Sequence, residues 1–177
     1  MLKKILLGIG LALLLFLAFV ATRSDTYTVQ RSATIAAPAD VVFGMINDFH
    51  QWEAWSPWAK IDPAMKTTYT GPTAGPGAIY HWVGNSDVGE GQMEVLESKL
   101  AELVKIKLDF IKPFASTNAT DFTLKPATGG VTVTWNMVGQ KDFMAKAVFL
   151  FMDMDKTIGG DFEKGLAQLK AGAEAKK

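Results

Sequence analysis

The chain has 177 residues, of which 49 % are hydrophobic and 20 % charged, and its formal net charge at pH 7 is zero. This composition is typical of one globular domain with a core of its own and a short appendage. The absence of a basic excess argues against a nucleic-acid-binding surface. Because the chain has no cysteine, disulfides, thiolate metal ligands and a cysteine nucleophile are excluded.

The first segment is strongly apolar. Residues Ile5 to Ala21 carry no charge, and Lys3 and Lys4 precede them. As a helix this segment would be about 25 Å long, slightly short of a hydrocarbon core of about 30 Å. The pattern favours an uncleaved signal anchor. A cleaved signal peptide is the alternative, although Phe19-Val20-Ala21 offers a small residue only at its last position.

Alternating apolar and polar residues predict about seven strands after this segment. The clearest case is Val104 to Phe110, in which apolar residues alternate with Lys105, Lys107 and Asp109. Short, turn-rich connections such as Gly129-Gly130 favour antiparallel pairing. The predicted strands are Tyr27–Ile35, Lys66–Thr70, Ala78–Val83, Gly89–Ser98, Val104–Phe110, Asn118–Lys125 and Val131–Met137.

Helical patterns lie on both sides of the strand series. A short helix is predicted from Pro38 to Asn47, and a helical turn follows it. Near the C-terminus, Phe143 to Met152 predicts a short apolar helix, and Met152 to Lys170 predicts a long amphipathic one. The apolar stripe of the long helix, which needs a sheet to pack on, consists of Ile158, Phe162, Leu166 and Leu169.

Three glycines weaken the predicted long helix, since glycine costs roughly 1 kcal/mol relative to alanine in a helix interior. They are Gly159, Gly160 and Gly165. One explanation is close approach of the helix backbone to the sheet or to a ligand. The other is that the Gly159-Gly160 pair marks the start of the helix, with Asp161 in its first turn.

The segment Asp48–Trp58 holds three of the five tryptophans of the chain. Pro57 ends any helix there, so a loop is expected. Either the indoles close one end of the core, or at least one of them lines a ligand cavity or contacts a membrane interface.

Three local patterns carry a family resemblance: Ile35–Phe43, Phe49–Trp58 and Met154–Lys170. Together with the order of elements, they resemble the bacterial polyketide cyclase/dehydrase-like branch of the START-related (SRPBCC) superfamily. The resemblance implies an α+β helix-grip fold, in which a curved antiparallel sheet of about six to seven strands, with two short helices, holds a long C-terminal helix. It also implies an apolar cavity between the sheet and that helix. The branch contains lipid carriers and cyclases, and no catalytic motif of it can be carried over to this chain.

These patterns divide the chain as follows. Residues 1–4 are expected in the cytoplasm, 5–21 form the transmembrane anchor, 22–26 are a tether, 27–173 form the helix-grip domain and 174–177 are a tail. The domain is therefore expected outside the cytoplasm, single-pass at the inner membrane of a bacterial cell, or secreted if the leader is cleaved.

Nine apolar residues are predicted to line the cavity, on the grounds of strand parity, helix periodicity and their place in the tryptophan-rich loop. They are Trp55, Trp58, Tyr80, Trp82, Phe110, Trp135, Met137, Phe162 and Leu166. No catalytic residue, metal ligand or cofactor is predicted. A hydrophobic small molecule is the expected ligand, and the N-terminal helix the contact with the membrane.

Three functions fit the sequence. The first is a membrane-tethered domain that binds or carries a lipid, quinone or polyketide-like molecule. The second is a cyclase or dehydratase that uses His81, Tyr80 or Asp109 for proton transfer. The third is an interaction module that docks an unidentified protein through the tryptophan-rich loop, with Trp55 and Trp58 as its contacts.

Overall fold

A computed structural model describes residues 1–176 of the chain. The helices are α1 (Leu2–Ala21), α2 (Ala39–Asn47), a 3-10 helix (Phe49–Ala54), α3 (Phe143–Phe149) and α4 (Met154–Glu174). The strands are β1 (Thr26–Ile35), β2 (Lys66–Thr70), β3 (Ile79–Val83), β4 (Glu90–Lys99), β5 (Leu103–Lys112), β6 (Ser116–Ala127) and β7 (Gly130–Gln140). The predicted tail, 174–177, includes Lys177, which lies outside the described residues.

Within residues 1–176, the seven strands form one antiparallel sheet in the order β1-β7-β6-β5-β4-β3-β2. The first strand closes the series by pairing with the last, from Thr26 opposite Gln140 to Ile35 opposite Val131. Register shifts interrupt the β4–β5 ladder next to Gly91 and after Val95, and such irregularities bend a sheet. The α+β helix-grip fold predicted from the sequence is confirmed.

The long helix α4 packs across the concave face of the sheet, mainly over β1. Its N-terminus is capped by Asp153, whose side chain accepts a hydrogen bond of 3.0 Å from the backbone N–H of Lys156. Phe162, Leu166 and Leu169 are fully buried, as their spacing predicted. Since α4 begins at Met154, upstream of both glycines, the hypothesis that the Gly159-Gly160 pair starts the helix is wrong.

The first helix projects from the domain. Among the described residues, α1 is the one helix long and apolar enough to cross a membrane, with a mean hydropathy of 2.6. Most of its side chains are exposed, whereas Val20 near its end is buried where α1 packs beside α3. By length and composition alone, α1 fits either an anchor or a signal sequence.

Candidate functional site

An aromatic cluster fills the centre of the domain between β7 and α4. The rings of Trp135 and Phe162 stack with centroids 4.0 Å apart and planes inclined by 6°. The rings of Trp55 and Phe122 pack against that of Trp135, with centroids 5.7 Å and 4.8 Å away. Because these side chains contact one another across the gap between sheet and helix, this part of the interior is occupied by the protein itself.

The tryptophan-rich loop contributes to this cluster and closes the core. The indole N–H groups of Trp52 and Trp55 donate to the backbone carbonyls of Ile46 and Met45 at 2.8 Å and 3.0 Å. Trp55 is 0 % exposed and Trp52 is 4 % exposed, while Trp58 is half-buried. The hypothesis that Trp55 contacts a protein partner is therefore wrong, because its indole has no accessible surface with which to contact one.

A second aromatic group lies on the concave face of β2, β3 and β5. Tyr80 packs beside Tyr69 and Trp82, with ring centroids 5.3 Å and 5.8 Å away. Trp82 lies over Gly91 of the next strand, where an added Cβ would overlap the indole. Burial is the main reason that the pKa of Tyr80 is raised to about 12, so its hydroxyl stays protonated at neutral pH.

The nine predicted cavity residues belong to the hydrophobic core or pack against it. Six of them are buried: Trp55, Trp82, Trp135, Met137, Phe162 and Leu166. The half-buried ones are Trp58, Tyr80 and Phe110.

Two of the three residues considered for proton transfer lie on the opposite, convex face. His81 alternates with the inward-facing Tyr80 and Trp82, and its Nε2 lies 3.6 Å from a carboxylate oxygen of Glu90. Asp109 likewise precedes the inward-facing Phe110. The hypothesis that His81 or Asp109 serves a site on the concave face is therefore wrong.

The partners of Asp109 confirm this placement. Its carboxylate accepts from Lys107 Nζ at 2.8 Å and from Thr117 Oγ1 at 2.6 Å. Both partners belong to the solvent-facing rows of β5 and β6. Asp109 is thus part of a surface network that links two neighbouring strands.

A groove of about 480 Å³ lies between the edge strand β1 and the connection from α3 to α4. We call it the anchor-side groove, since it lies at the end of β1 that follows α1. It is lined by Tyr27, Thr28, Val29, Lys141 and the segment 149–155. Phe149, Leu150, Phe151, Met152 and Met154 supply aromatic, aliphatic and thioether groups, which adapt to irregular ligands. Asp153 and Asp155 of the same segment, with Lys141, make the remainder of the lining polar.

Tyr27 connects the groove to a buried polar group on β6. Its ring packs edge-on against Phe149, with centroids 5.1 Å apart, and its hydroxyl donates to Asn118 Oδ1 at 3.1 Å. Gly139 lies between them, and a Cβ there would overlap both the Tyr27 ring and Asn118 Oδ1. Burial raises the pKa of Tyr27. The glycine thus permits a phenol to cross β7 and reach the amide.

The amide of Asn118 is incompletely paired. The residue is 2 % exposed, and its Nδ2 has no hydrogen-bond partner among the described residues. A buried donor without a partner costs about 1–3 kcal/mol. An acceptor atom of a water or of a ligand next to Asn118 would remove this cost.

An ion-pair clamp borders the groove. Arg31 of β1 donates from Nη1 and Nη2 to the two carboxylate oxygens of Asp155, both at 3.0 Å, and from Nε to Glu163 at 2.7 Å. The guanidinium lies against Gly159, whose missing side chain leaves room for it. These hydrogen bonds, chiefly the one with Asp155, raise the pKa of Arg31. The clamp fixes the first turns of α4 on β1.

Reasoning from the sequence missed Tyr27, Arg31 and Asn118. Strand parity does contain a signal for each. Tyr27 and Arg31 share the face of Val29, and Asn118 shares the face of Phe122. Tyr27 was assigned to the apolar row of its strand but not to a site. Arg31 and Asn118 were not assigned inward, because parity alone does not reveal the partners that make burial of a polar side chain acceptable.

Comparison with solved structures shows the same fold in proteins of low sequence identity. Protein CV1439 from Chromobacterium violaceum is 16 % identical, with a TM-score of 0.61, and the match covers 83 % of this chain and 96 % of that one. Protein Ms6760 from Mycobacterium smegmatis is 21 % identical, with a TM-score of 0.56 and coverage of 87 % and 99 %. Ara h 8.0201 is 14 % identical, with a TM-score of 0.55 and coverage of 85 % and 96 %.

Comparison with curated proteins gives no match. A family model, in contrast, matches residues 26–174, from the start of β1 to the end of α4. That family is described as polyketide cyclase / dehydrase and lipid transport, which is in keeping with a domain that binds hydrophobic ligands. The fold, the aromatic interior and this match agree, and the chain belongs to the polyketide cyclase / dehydrase and lipid transport family.

Proposed function

We propose that this protein is a membrane-tethered binding domain that takes up a hydrophobic small molecule in the anchor-side groove. The observation that carries the proposal is the groove itself. Its volume of about 480 Å³ falls in the range of roughly 300–1,000 Å³ that is common for ligand sites. Its wall combines apolar side chains, two of them methionines, with the charged groups of Lys141, Asp153 and Asp155, which suits an amphipathic lipid, quinone or polyketide-like molecule.

The position of α1 supports a tether. The helix has the hydropathy of a membrane span, and only Thr22 to Asp25 separate it from β1. Asp25 forms an ion pair with Lys146 of α3. A ligand that arrives from the bilayer would therefore meet the groove first. We place residues 1–4 in the cytoplasm and the domain on the outer side of the membrane.

The half-buried candidates from the sequence extend this site. Phe110 lies three strands from Tyr27 at the same end of the sheet, roughly 14 Å away at about 4.8 Å per strand. Tyr80 and Trp58 lie further along the concave face. We propose that these three side chains contact the distal part of a long ligand, while the six buried candidates form the core.

Ligand content tests the proposal. The full-length protein is purified from membranes, extracted with organic solvent and analysed by mass spectrometry, beside two variants. Met154→Trp enlarges a half-buried side chain that lines the groove, and Thr34→Trp places the same group on the exposed face of β1 away from the groove. A bound compound should be present in the wild type and in Thr34→Trp and be depleted at least about tenfold in Met154→Trp, which corresponds to about 1.4 kcal/mol of binding free energy.

The matched variant separates a specific ligand from lipid that surrounds α1, since both variants keep that helix. If all three proteins release the same compounds in the same amounts, the groove is not the binding site and the proposal is wrong.

A further inference from the structure

We propose that one end of the domain docks on the surface of the bilayer that holds α1, by inserting apolar side chains next to the anchor. The surface, which we call the apolar end, consists of exposed apolar side chains around α3, at the end of β5 and in the β5–β6 turn. They are Phe143, Met144, Val148, Phe151 and Met152, with Ile111 of β5 and Phe114 of the turn. The inference rests on the membrane tether proposed above and goes beyond it, because a tether alone leaves the domain free to tilt in water.

The exposure of these side chains is the first argument. Phe151 is 80 % exposed, Phe114 is 84 % exposed and Met144 is 69 % exposed. None of the seven residues of α3, all of them described, is fully buried. Clustered large apolar groups on a surface indicate an interaction site, whereas single ones are ordinary.

The topology is the second argument, because it brings the two parts of the apolar end together. In the antiparallel order, the start of β1, the end of β7, the start of β6 and the end of β5 all lie at one end of the sheet. The β5–β6 turn and α3 both extend from that end. It is also the end at which α1 joins the domain, and α3 packs beside α1.

The short connection to α1 is the third argument, because it keeps this surface close to the membrane that holds α1. Residues Thr22 to Asp25 span at most about 14 Å when fully extended. The ion pair between Asp25 and Lys146, with the backbone hydrogen bond of 2.7 Å from Lys141 N–H to the Asp25 carbonyl, fixes that connection to the domain. With α1 in the membrane, α3 lies at the lipid headgroups.

The charges near this end favour lipid insertion over attraction to anionic headgroups. Lys146 is paired with Asp25, and Lys112 is paired with Glu90 at 2.6 Å. Arg23 and Lys141 are further basic side chains near this end. Asp153 and Asp155 line the groove together with Lys141. Because acidic and basic groups are mixed here, most of the binding should come from buried apolar area. The apolar end should therefore bind neutral and anionic bilayers about equally well.

Site-specific labels test this docking surface in the full-length protein, reconstituted into phosphatidylcholine vesicles. Because the chain has no cysteine, one introduced thiol is the sole attachment point for an environment-sensitive fluorophore. The sites are Phe151→Cys and Phe114→Cys in the apolar end, Leu100→Cys at the opposite end of the sheet, and Leu13→Cys in α1. Leu100 is the matched control, since it is 74 % exposed.

The labels at Phe151 and Phe114 should show blue-shifted emission and lose most of their intensity when the lipids carry nitroxide quenchers near the headgroup. The label at Leu100 should keep the emission of an aqueous probe. Raising the salt concentration should leave this contrast unchanged, because charge pairing is not its cause.

The outcomes separate the inference from the tether. A quenched Leu13 label beside unquenched Phe151 and Phe114 labels keeps the tether and overturns the docking surface. An unquenched Leu13 label overturns both. A contrast that requires anionic lipid and disappears in high salt overturns the apolar basis of the docking.

Discussion

The glycines of α4 show how one missing side chain decides the packing of a helix. At Gly165, an added Cβ would lie 2.9 Å from Trp135 Cζ3 and 3.1 Å from Pro57 Cδ, so close contact with the aromatic cluster requires glycine. Gly159 likewise makes room for Arg31. At Gly160, in contrast, no atom of the described residues lies within 4 Å of such a Cβ. Close approach explains two of the three glycines, and it does not explain Gly160.

Substitutions at Gly165 and Gly160 should therefore change the free energy of unfolding differently. We expect Gly165→Leu to destabilise the protein by about 1–3 kcal/mol, because the side chain must displace Trp135 or Pro57 in a packed core. Gly160→Ala should be neutral or stabilising by up to about 1 kcal/mol, since alanine favours the helix and meets open space. Guanidinium unfolding of the detergent-solubilised protein, followed by tryptophan fluorescence, measures both. Equal effects at the two sites would contradict the packing argument.

At the scale of elements, the attachment of α4 to β1 depends on an ion pair as well as on apolar burial. Arg31 belongs to the inward-facing row of β1, yet its guanidinium reaches the solvent-exposed side of α4, where Asp155 and Glu163 are largely exposed. The hydrogen bonds from Arg31 hold the pKa of Asp155 below its ordinary value of 3.8, although partial desolvation opposes them. The contribution of this pair to stability therefore depends on pH.

The sign of that dependence follows from the lowered pKa. Above about pH 4, Asp155 is ionised in both the folded and the unfolded chain and stabilises the fold; this contribution is lost as the pH falls through the folded-state pKa. The difference in unfolding free energy between the wild type and Asp155→Asn should therefore be largest near neutral pH and shrink below about pH 4. Asp161→Asn serves as the control on the same helix. A difference that is constant from pH 7 to pH 3 would show that the pair contributes nothing through charge.

The elements were largely predictable, and their tertiary contacts were not. Alternation such as that from Val104 to Phe110 fixes a strand and its buried face locally, so all seven strands were found, with ends that differ by a few residues. The stack of Trp135 on Phe162 joins residues from β7 and α4, and no local pattern reveals that two rings fill the space expected to be a cavity. The groove was missed for the same reason, since an edge strand and a distant connection form it jointly.

At the scale of the whole molecule, α1 and the sheet define an axis. The β4–β5 turn that contains Leu100 lies at one end of the sheet, and α1 leaves from the other. An anchored domain therefore presents Leu100 away from the membrane. The two lysines before the span favour a cytoplasmic N-terminus.

Thiol labelling in intact cells checks this orientation. A membrane-impermeant maleimide should label Leu100→Cys in cells whose outer membrane has been permeabilised. It should label Leu2→Cys, which keeps both lysines, only after lysis. Both variants should appear in the membrane fraction at full length. The reverse labelling pattern would place the domain in the cytoplasm, and a shortened soluble product would show that the leader is cleaved.

The short connection between α1 and β1 would also limit the reach of the proposed carrier. With α1 in a membrane and about 14 Å of chain between the two, the domain would stay at that membrane and would not cross an aqueous compartment with a ligand. It would exchange ligands only with molecules and proteins at the same membrane surface. Net transport across water would then require a second protein.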